Sequence, residues 1–522
     1  MRNIPAQGAR FLCGAVLALA GCTGHPATVP ALSKTEAADA TPPEVPAPEE
    51  GGPKLVILRD RTPVMEGPAF GARVLGEVRL GTVLTRSATP ASRAECNGGW
   101  YAVRPRGFVC AGALATLDTG AVSYLPKPAD LSRPLPYRYG RTRTDGVPLY
   151  AKAPSDADLA ASEPDLGKYL ARLDLDKEVY GPSANDVPLD ARGVPTGPPL
   201  LSPTSDGVDQ STKRSGATFF GFPSERSVSV FASFARDGAA APADGSARLR
   251  KTSGVAITTS GTVDIAGKSR RFGITPDGMI VPVDRLKPAL GSTWHGIDLE
   301  KTGLPVAFVH KLGVHTWTLK KGDADKNDEE MERRAAVPLT GKFRTIDSVR
   351  FEETQEGYWL RAQDLTVVVK RSKFPEFAKG AQKWLDVSLA NQTITAYEGK
   401  KPIYATLISS GRDVLGDPAQ AAATPRGTFK VKSKHVTLGI DPREVHQSFD
   451  IADAPWVLSL EGDFAITGTY WSEVGEAQNF HNVTLSPIDA RRLWTWADPQ
   501  LPEGWHAAYD QTDVGTIVYV RP

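Results

Sequence analysis

The chain has 522 residues, and its 61 Lys and Arg against 60 Asp and Glu give a formal net charge of +1. This balance excludes a nucleic-acid or phosphate surface built on bulk positive charge. Four Cys exclude a cysteine-rich metal scaffold, and 49 Gly with 42 Pro favour short strands over long helices. We therefore expect a mainly β, multidomain protein that binds no nucleic acid.

Residues 1–21 have the composition of an export signal. Arg2 and Arg10 accompany an apolar run, Phe11–Ala20, that is too short to span a bilayer. Its end, Leu19–Cys22, resembles the lipobox of bacterial lipoproteins. The resemblance implies cleavage before Cys22, a diacylglycerol anchor on its sulfur, and a place in the cell envelope, at the outer membrane facing the periplasm. The alternative is an ordinary signal peptide with a chance Cys.

Residues 22–53 are rich in Pro and Ala without an apolar period, which predicts an extended tether. Residues 54–117 are predicted to form a small β module from the strand-like runs Lys54–Leu58, Arg73–Leu84, Gly99–Val103 and Gly107–Cys110. The order of these runs resembles bacterial SH3-like barrels, which often bind cell-wall peptides. The resemblance suggests an aromatic groove of Trp100, Tyr101 and Phe108. The alternative is that these rings belong to the core of the barrel.

Cys96 and Cys110 are the two thiols left after Cys13 leaves with the signal and Cys22 is lipidated. An even pair in an exported protein predicts a disulfide, worth about 3 kcal/mol in the chain-entropy model. Two buried thiols are the alternative.

Residues 118–375 contain strand-like runs between many Gly and Pro, with a polar stretch at Thr204–Ser215. The runs are Ser227–Phe231, Val255–Thr258, Pro305–Val309 and Thr366–Val369. Gly273–Val281 has the pattern of a hairpin that turns at Asp277 and Gly278. Gly357–Arg361 is similar to Gly99–Val103, which favours one or two further β modules related to the first.

The charged run Lys320–Arg334 begins like a calcium loop. Asp328 stands where that loop needs Gly, however, and Arg334 stands where it needs a bidentate Glu. We interpret the run as a solvated loop or an exposed helix.

Residues 376–522 form the C-terminal domain. Lys383–Leu389 alternates with period two, and further strand-like runs predict an antiparallel meander. Ser486 is a good helix N-cap, Pro487 suits the first helical position, and the apolar period indicates a helix that ends before Pro499.

Six blocks of this domain occur in the order seen in L,D-transpeptidase (YkuD-like) domains: Lys383–Leu389, Ala396–Gly399, Ser409–Arg412, Thr424–Phe429, Gly468–Trp471 and Leu485–Trp494. The resemblance implies a β-sandwich with a short helix. Enzymes of that family cross-link peptidoglycan stem peptides, or attach proteins to them, through a thioester on a catalytic Cys.

The family signature is a His-Gly-Thr block followed by Ser-His-Gly-Cys. In this chain Thr467 occupies the position of the first His. The four positions of the second block are occupied by Asn479, Phe480, His481 and Asn482. No Cys follows Cys110 in the chain.

Acyl transfer by this route needs a thiolate and a neighbouring imidazole. A carboxamide has no comparable nucleophile, so we predict a degenerate, inactive site. A replacement pair of His481 with Thr467, Thr469 or Ser472 is a weaker alternative. His435, His446 and His481 lack a paired ligand motif, and we predict neither metal nor cofactor.

Three functions are consistent with these features. The favoured one is an envelope lipoprotein whose degenerate transpeptidase domain binds or organises peptidoglycan, through stem peptides. Its candidate contacts are Trp100, Tyr101, Phe108, Tyr470 and Trp471. The second is an active L,D-transpeptidase that acts in cross-linking from a non-standard site. The third is a scaffold that regulates active cell-wall enzymes.

Overall fold

The computed structural model describes residues 48–120, 126–150, 154–172, 247–265, 268–440, 451–511 and 513–522. The predicted signal, the lipobox and nearly all of the tether lie outside these residues. So do Thr204–Ser215, Ser227–Phe231 and His446. Within the described part the protein is mainly β, as predicted. No helix there is long and apolar enough to cross a membrane.

The first module contains β1 (Lys54–Ile57), β2 (Thr62–Met65), β3 (Val74–Val78), β4 (Val83–Thr85), β5 (Trp100–Ala102), β6 (Phe108–Cys110) and β7 (Ala115–Thr116). Strand β1 lies between β4 and β7, while β2 pairs with β3 and β5 pairs with β6. Cys96 and Cys110 form the predicted disulfide. Strands β2 and β7 are not predicted from the sequence, because they are short and have little apolar alternation.

The second module contains β8 (Arg138–Thr142), β9 (Val147–Leu149), α1 (Asp156–Ser162), α2 (Leu166–Arg172), β10 (Ala247–Leu249), β11 (Gly254–Ile257), β12 (Thr259–Ile265), β13 (Lys268–Ile274), β14 (Ile280–Pro282) and β15 (Leu286–Ala289). Strand β8 pairs with both β11 and β15. The predicted hairpin is formed by β13 and β14, and Gly278 at its turn has a φ of 86°.

The third module follows with β16 (Ile297–Asp298), α3 (Leu299–Thr302), β17 (Val306–Val309), β18 (Val314–Lys320), β19 (Asp323–Met331), β20 (Ala336–Ile346), β21 (Val349–Thr354), β22 (Trp359–Arg361) and β23 (Leu365–Val368). Seven of these strands form one sheet in the order β19-β18-β22-β21-β20-β17-β23. The prediction of a loop or helix at the charged run was wrong, because that run forms the edge strand β19. Its charges are solvated, which suits a sheet edge that must not pair with another chain.

The three modules end in the same way. A glycine with positive φ precedes a strand, a short turn and a last strand in each of them. These glycines are Gly107, Gly278 and Gly357, with φ values of 89°, 86° and 95°. In the second and third modules the turn is a 3-10 helix, Val283–Arg285 and Ala362–Asp364. That the modules are related units stays a prediction.

The C-terminal domain contains β24 (Lys383–Ser388), β25 (Thr393–Glu398), β26 (Lys401–Leu407), β27 (Gly427–Ile440), β28 (Ile451–Leu460), β29 (Ala465–Gly468), β30 (Val483–Leu485), α4 (Pro487–Trp496), β31 (Ala507–Tyr509) and β32 (Ile517–Arg521). One sheet joins β26, β25, β24, β32 and the start of β27. The rest of β27 continues into a second sheet with β28, β29, β30 and β31. Apolar side chains of both sheets and of α4 form the shared core of a β-sandwich.

Helix α4 begins as predicted. The Ser486 side chain accepts a hydrogen bond from the Asp489 backbone, and Pro487 occupies the first turn. The helix buries Ala490, Leu493 and Trp494 against the sandwich.

Each module is joined to the C-terminal domain by a strand pairing: β3 with β31, β11 with β28 and β16 with β26. We call these the first, second and third junctions. Each contains a glycine whose place no larger residue could take. A Cβ on Gly76 or Gly296 would lie 2.2 Å from the backbone oxygen of Ala507 or Ala405, and one on Gly254 would lie 2.0 Å from the Tyr470 hydroxyl. The glycines thus permit the close approach of the modules.

Candidate functional site

The fold brings the two blocks of the predicted signature together. Strands β29 and β30 run side by side in parallel, with Thr467 opposite Thr484 and Gly468 opposite Leu485. The loop that joins the strands, residues 469–482, carries the second block at its end. We call β29, this loop and β30 the signature region.

Thr467 and Asn482 both use their polar atoms inside the domain. The Thr467 hydroxyl is fully buried and donates to the carbonyl oxygen of Pro455 at 3.0 Å. The Asn482 side-chain oxygen accepts from the backbone N–H of Ala465 at 2.8 Å, and the residue is 6% exposed. The residue at the nucleophile position therefore supports the start of β29.

Asn479 ties the second block to the segment that follows β26. Its side-chain nitrogen donates to the carbonyl oxygen of Ser409 at 2.6 Å and to the Thr484 hydroxyl at 3.0 Å. The backbones of Ser409 and Thr484 also exchange hydrogen bonds of 2.9 and 2.8 Å. Asn479 is 3% exposed, so water has little access to it.

His481 is not paired with a hydroxyl group. Its Nε2 atom lies 3.0 Å from the carbonyl oxygen of Pro418, and its ring stacks on Phe480 with a centroid distance of 4.0 Å. The hydroxyls of Thr469 and Ser472 lie 3.0 Å from each other, and Thr469 also accepts from the backbone of its own turn. The hydroxyl–imidazole pair considered from the sequence is therefore not formed in the structure.

The second module holds one side of the loop in the signature region. Tyr470 stacks on Tyr139 at 4.2 Å, and its hydroxyl donates to Ala452 at 3.1 Å. An Arg141 guanidinium nitrogen lies 3.3 Å from the carbonyl oxygen of Trp471. Tyr470 is thus buried in the junction.

The third module holds the other side of the loop. Arg334 donates to the carbonyl oxygen of Val474 and to the Glu473 carboxylate, each at 2.8 Å. Val474 itself is buried among apolar residues of the third module and β26, including Val306 and Leu407. The loop is therefore fixed from both sides by the middle region of the chain.

The five aromatic residues predicted as peptidoglycan contacts differ in burial. Trp100 and Tyr101 are buried in the first module, at 1% and 5% exposure, and Tyr470 is buried at 5%. Phe108 and Trp471 are half-buried. Burial of Trp100 and Tyr101 favours the core alternative for these two rings, whereas Tyr470 is buried at the second junction. A binding role stays a prediction for Phe108 and Trp471.

No metal site is visible among the described residues, where no three His, Cys, Asp or Glu side chains are grouped for one. His435 is buried, its Nε2 atom lies 2.9 Å from the Ser433 hydroxyl, and burial lowers the pKa of the imidazole to about 4. His446 lies outside the described residues. His481 is engaged with Pro418.

A polar cluster at the first junction was missed by sequence analysis. Arg79 of the first module pairs with Asp60 at 2.8 Å and contacts Thr437 and Asp453 of the C-terminal domain. His506 lies beside Thr437, and burial lowers its pKa well below the usual value. A cavity of about 40 Å³ opens here, and none of the signature residues lines it. Charged residues in the run Arg73–Leu84 were the only signal, and they did not identify their partners.

These contacts limit the chemistry available at the signature region. The position predicted for the nucleophile carries a carboxamide, and the position predicted for the first His carries a buried, hydrogen-bonded hydroxyl. Cys96 and Cys110, the cysteines of the described residues, are joined in the first module. The region can donate and accept hydrogen bonds, but it offers no thiolate for acyl transfer.

Residues 382–520 match the model of the L,D-transpeptidase catalytic domain, YkuD. Similar solved structures include an L,D-transpeptidase from Xylanimonas cellulosilytica, with 19% identity over 29% of this chain and 65% of that one and a TM-score of 0.19. An L,D-transpeptidase from Enterococcus faecium has 18% identity over 27% of this chain and 50% of that one, with a TM-score of 0.20. An L,D-transpeptidase from Mycobacterium tuberculosis has 14% identity over 35% of this chain and 77% of that one, with a TM-score of 0.21. The chain thus spans less than two thirds of the first two. No curated protein matches it significantly.

Proposed function

We propose that this protein is an envelope lipoprotein whose degenerate L,D-transpeptidase domain binds or organises peptidoglycan without catalysing transpeptidation. The observation that carries the proposal is the use of the signature positions. Thr467, Asn479 and Asn482 are buried, and one side-chain polar atom of each forms a hydrogen bond with a backbone carbonyl or amide group. A residue that supports the fold in this way is not free to act as nucleophile or base.

The link to peptidoglycan comes from the match of residues 382–520 to a transpeptidase catalytic domain. Members of that family act on stem peptides, so a domain of the same fold that lacks the nucleophile is suited to binding them. The fixed loop of the signature region supports binding rather than turnover. An active enzyme with a non-standard site has no such support, because no described hydroxyl there contacts His481.

Co-sedimentation of the full chain with purified sacculi tests the binding function. We expect the protein to pellet with sacculi in the absence of other proteins. A protein that stays in the supernatant would contradict direct binding and favour the scaffold alternative, in which it contacts cell-wall enzymes.

The lipoprotein assignment rests on Leu19–Cys22 and has its own test. We expect Cys22→Ala to release the protein from the membrane fraction or to leave its signal uncleaved. Membrane retention with unchanged electrophoretic mobility would contradict the assignment.

A further inference from the structure

One face of the third module carries aromatic and cationic side chains that the signature region does not use. Two rows of cross-strand partners cross its seven-stranded sheet. The first row runs Lys326, Trp317, Trp359 and Glu353, and the second runs Arg361, Phe351 and Arg344. Cross-strand partners share a face of a sheet, as do residues two apart on one strand, so both rows lie on one face. We call it the aromatic face.

The opposite side of the same sheet packs on the core of the module. Leu360, between Trp359 and Arg361, is fully buried there with Val337, Leu339 and other apolar residues. Phe351 and Trp359 are buried, at 3% and 7% exposure, and Trp317 is half-buried, but none of the three belongs to the apolar cluster around Leu360. They instead pack on one another and on the arginines.

The rings and guanidinium groups form one contact network. Trp317 meets Phe351 edge-on with a centroid distance of 5.4 Å. Arg344 lies over Trp359 at 5.5 Å, and Arg361 lies over Trp317 at 5.6 Å. Such cation–π contacts hold the guanidinium groups in place while leaving their N–H donors available.

Two cations of this face form no side-chain hydrogen bond or salt bridge among the described residues. Arg361 donates to Asp364 at 2.7 Å, and Lys342 lies 3.4 Å from Glu353. The Arg344 and Lys326 side chains are exposed, and Arg344 makes no direct contact with Glu353, although its charge helps to lower the pKa of that carboxyl. Trp317, which lies directly beside Lys326, is half-exposed. Tryptophan with arginine is the composition enriched in binding hot spots.

We propose that the aromatic face binds the glycopeptide of peptidoglycan, an inference that rests on the proposed function. A sugar ring presents a flat C–H face, which suits the half-exposed indole of Trp317. The stem peptide supplies carboxylates, which suit Arg344 and Lys326. Glu353 lies on the same face, and its charge opposes the continuous phosphates of a nucleic acid.

The test compares the full-length protein with two double variants by titration with soluble muropeptides and by sacculus co-sedimentation. Lys326→Ala with Arg344→Ala removes the two unpaired cations. Phe343→Ala with Arg350→Ala is the matched control, because this exposed pair, 4.0 Å apart, lies on the other face of the same hairpin. We expect the first variant to bind about tenfold more weakly and the control to bind like the native chain. Trp317→Ala should weaken binding of bare disaccharide as well.

Each outcome distinguishes the two proposals. If the native chain binds and the folded variant with Lys326→Ala and Arg344→Ala binds equally well, the inference is overturned and the proposed function stands. The same conclusion follows if the control variant loses as much affinity as that variant. Failure of the native chain to bind sacculi overturns both. Tighter binding of an oligonucleotide or of polyglutamate than of muropeptide overturns the ligand class. Unchanged circular dichroism and melting temperature show that each variant is folded.

Discussion

The signature region and the three junctions both bury polar groups, but they use them differently. At the signature region, Thr467, Asn479 and Asn482 make local hydrogen bonds within one domain. At the junctions, side chains such as Arg79 and Asp489 connect separate parts of the chain. The comparison shows that polar contacts between distant parts of the chain lie where modules meet, whereas Thr467, Asn479 and Asn482 form hydrogen bonds within one β-sandwich.

Removal of the Asp489 carboxylate should be the most damaging change at a junction. It accepts hydrogen bonds from the Gly296 backbone at 3.0 Å, from the Tyr404 and Thr406 hydroxyls at 2.6 Å each, and from Ser486 at 2.8 Å. Asp489→Ala leaves these buried donors unpaired, so we expect a loss of about 4 kcal/mol in unfolding free energy. Chemical denaturation measures it. Glu300→Ala, which removes an exposed carboxylate at the same junction, should change the unfolding free energy little. Equal losses in the two variants would contradict the importance of the hydrogen bonds to Asp489.

Gly76→Ala tests the steric fit of the first junction. The added Cβ would meet the Ala507 oxygen at 2.2 Å and the Trp505 ring at 2.5 Å, so β3 and β31 must separate. We expect a loss of about 3 kcal/mol and faster proteolysis between the first module and the rest of the chain. Gly167→Ala is the matched control, since no atom of a described residue outside helix α2 lies within 4 Å of the Cβ that this change adds. A stable Gly76→Ala protein would show that the junction is looser than described.

The first junction should also weaken at low pH. The pKa of His435 is lowered to about 4 by burial, against an ordinary value near 6.5, so between these values the unfolded chain binds a proton that the folded chain does not. This contribution to stability is complete above pH 6.5 and falls as the pH decreases. We expect His435 to contribute about 2 kcal/mol to the loss of stability from pH 7 to pH 5 in denaturation curves, and His506, whose pKa burial also lowers, to add to that loss.

His435→Gln isolates this effect from the other titrating groups. Asp60 at the same junction has a pKa raised by burial, which acts in the opposite direction. The variant should show a shallower fall of stability with pH than the native chain. Identical pH profiles would exclude His435 as the source.

The smallest effect is expected at the signature region itself. Asn482→Ala leaves the Ala465 N–H without its acceptor, and we expect a loss of about 1.5 kcal/mol by denaturation. Asn97→Ala, at an exposed position, serves as the control. A neutral Asn482→Ala change would show that the carboxamide is not needed by the fold and would reopen a functional role.

The sequence predicted those parts of the fold that have strong local patterns. The alternating run Lys383–Leu389 became β24, and Ser486 with Pro487 correctly marked the start of α4. The charged run at β19 was misjudged, because an edge strand with both faces solvated has no apolar alternation to reveal it. Pairing with β18 decides its structure, and pairing is not visible in local sequence.

The candidate site likewise has features that the sequence predicts and features that it does not. The order of the motifs identified Thr467 and Asn482 as positions of one signature, and the structure places Thr467 in β29 and Asn482 directly before β30, which pairs with β29. The partners of these residues, the Pro455 oxygen and the Ala465 N–H, are backbone groups that no motif specifies. The junction contacts of Gly76, Gly254 and Gly296 likewise depend on which strands of different modules pair. A glycine in a strand-like run does not indicate its pairing partner.

Mass spectrometry of the intact protein after exposure to a carbapenem tests the central claim most directly. In the transpeptidase family these drugs acylate the catalytic Cys. The matched positive control is the variant with Thr467→His, Asn479→Ser, Phe480→His, His481→Gly and Asn482→Cys, which supplies the complete signature. The native chain is predicted to show no added mass, because residues 465–485 contain no thiolate. A mass increase equal to the drug, mapped to residues 464–486 of the native chain, would contradict the account.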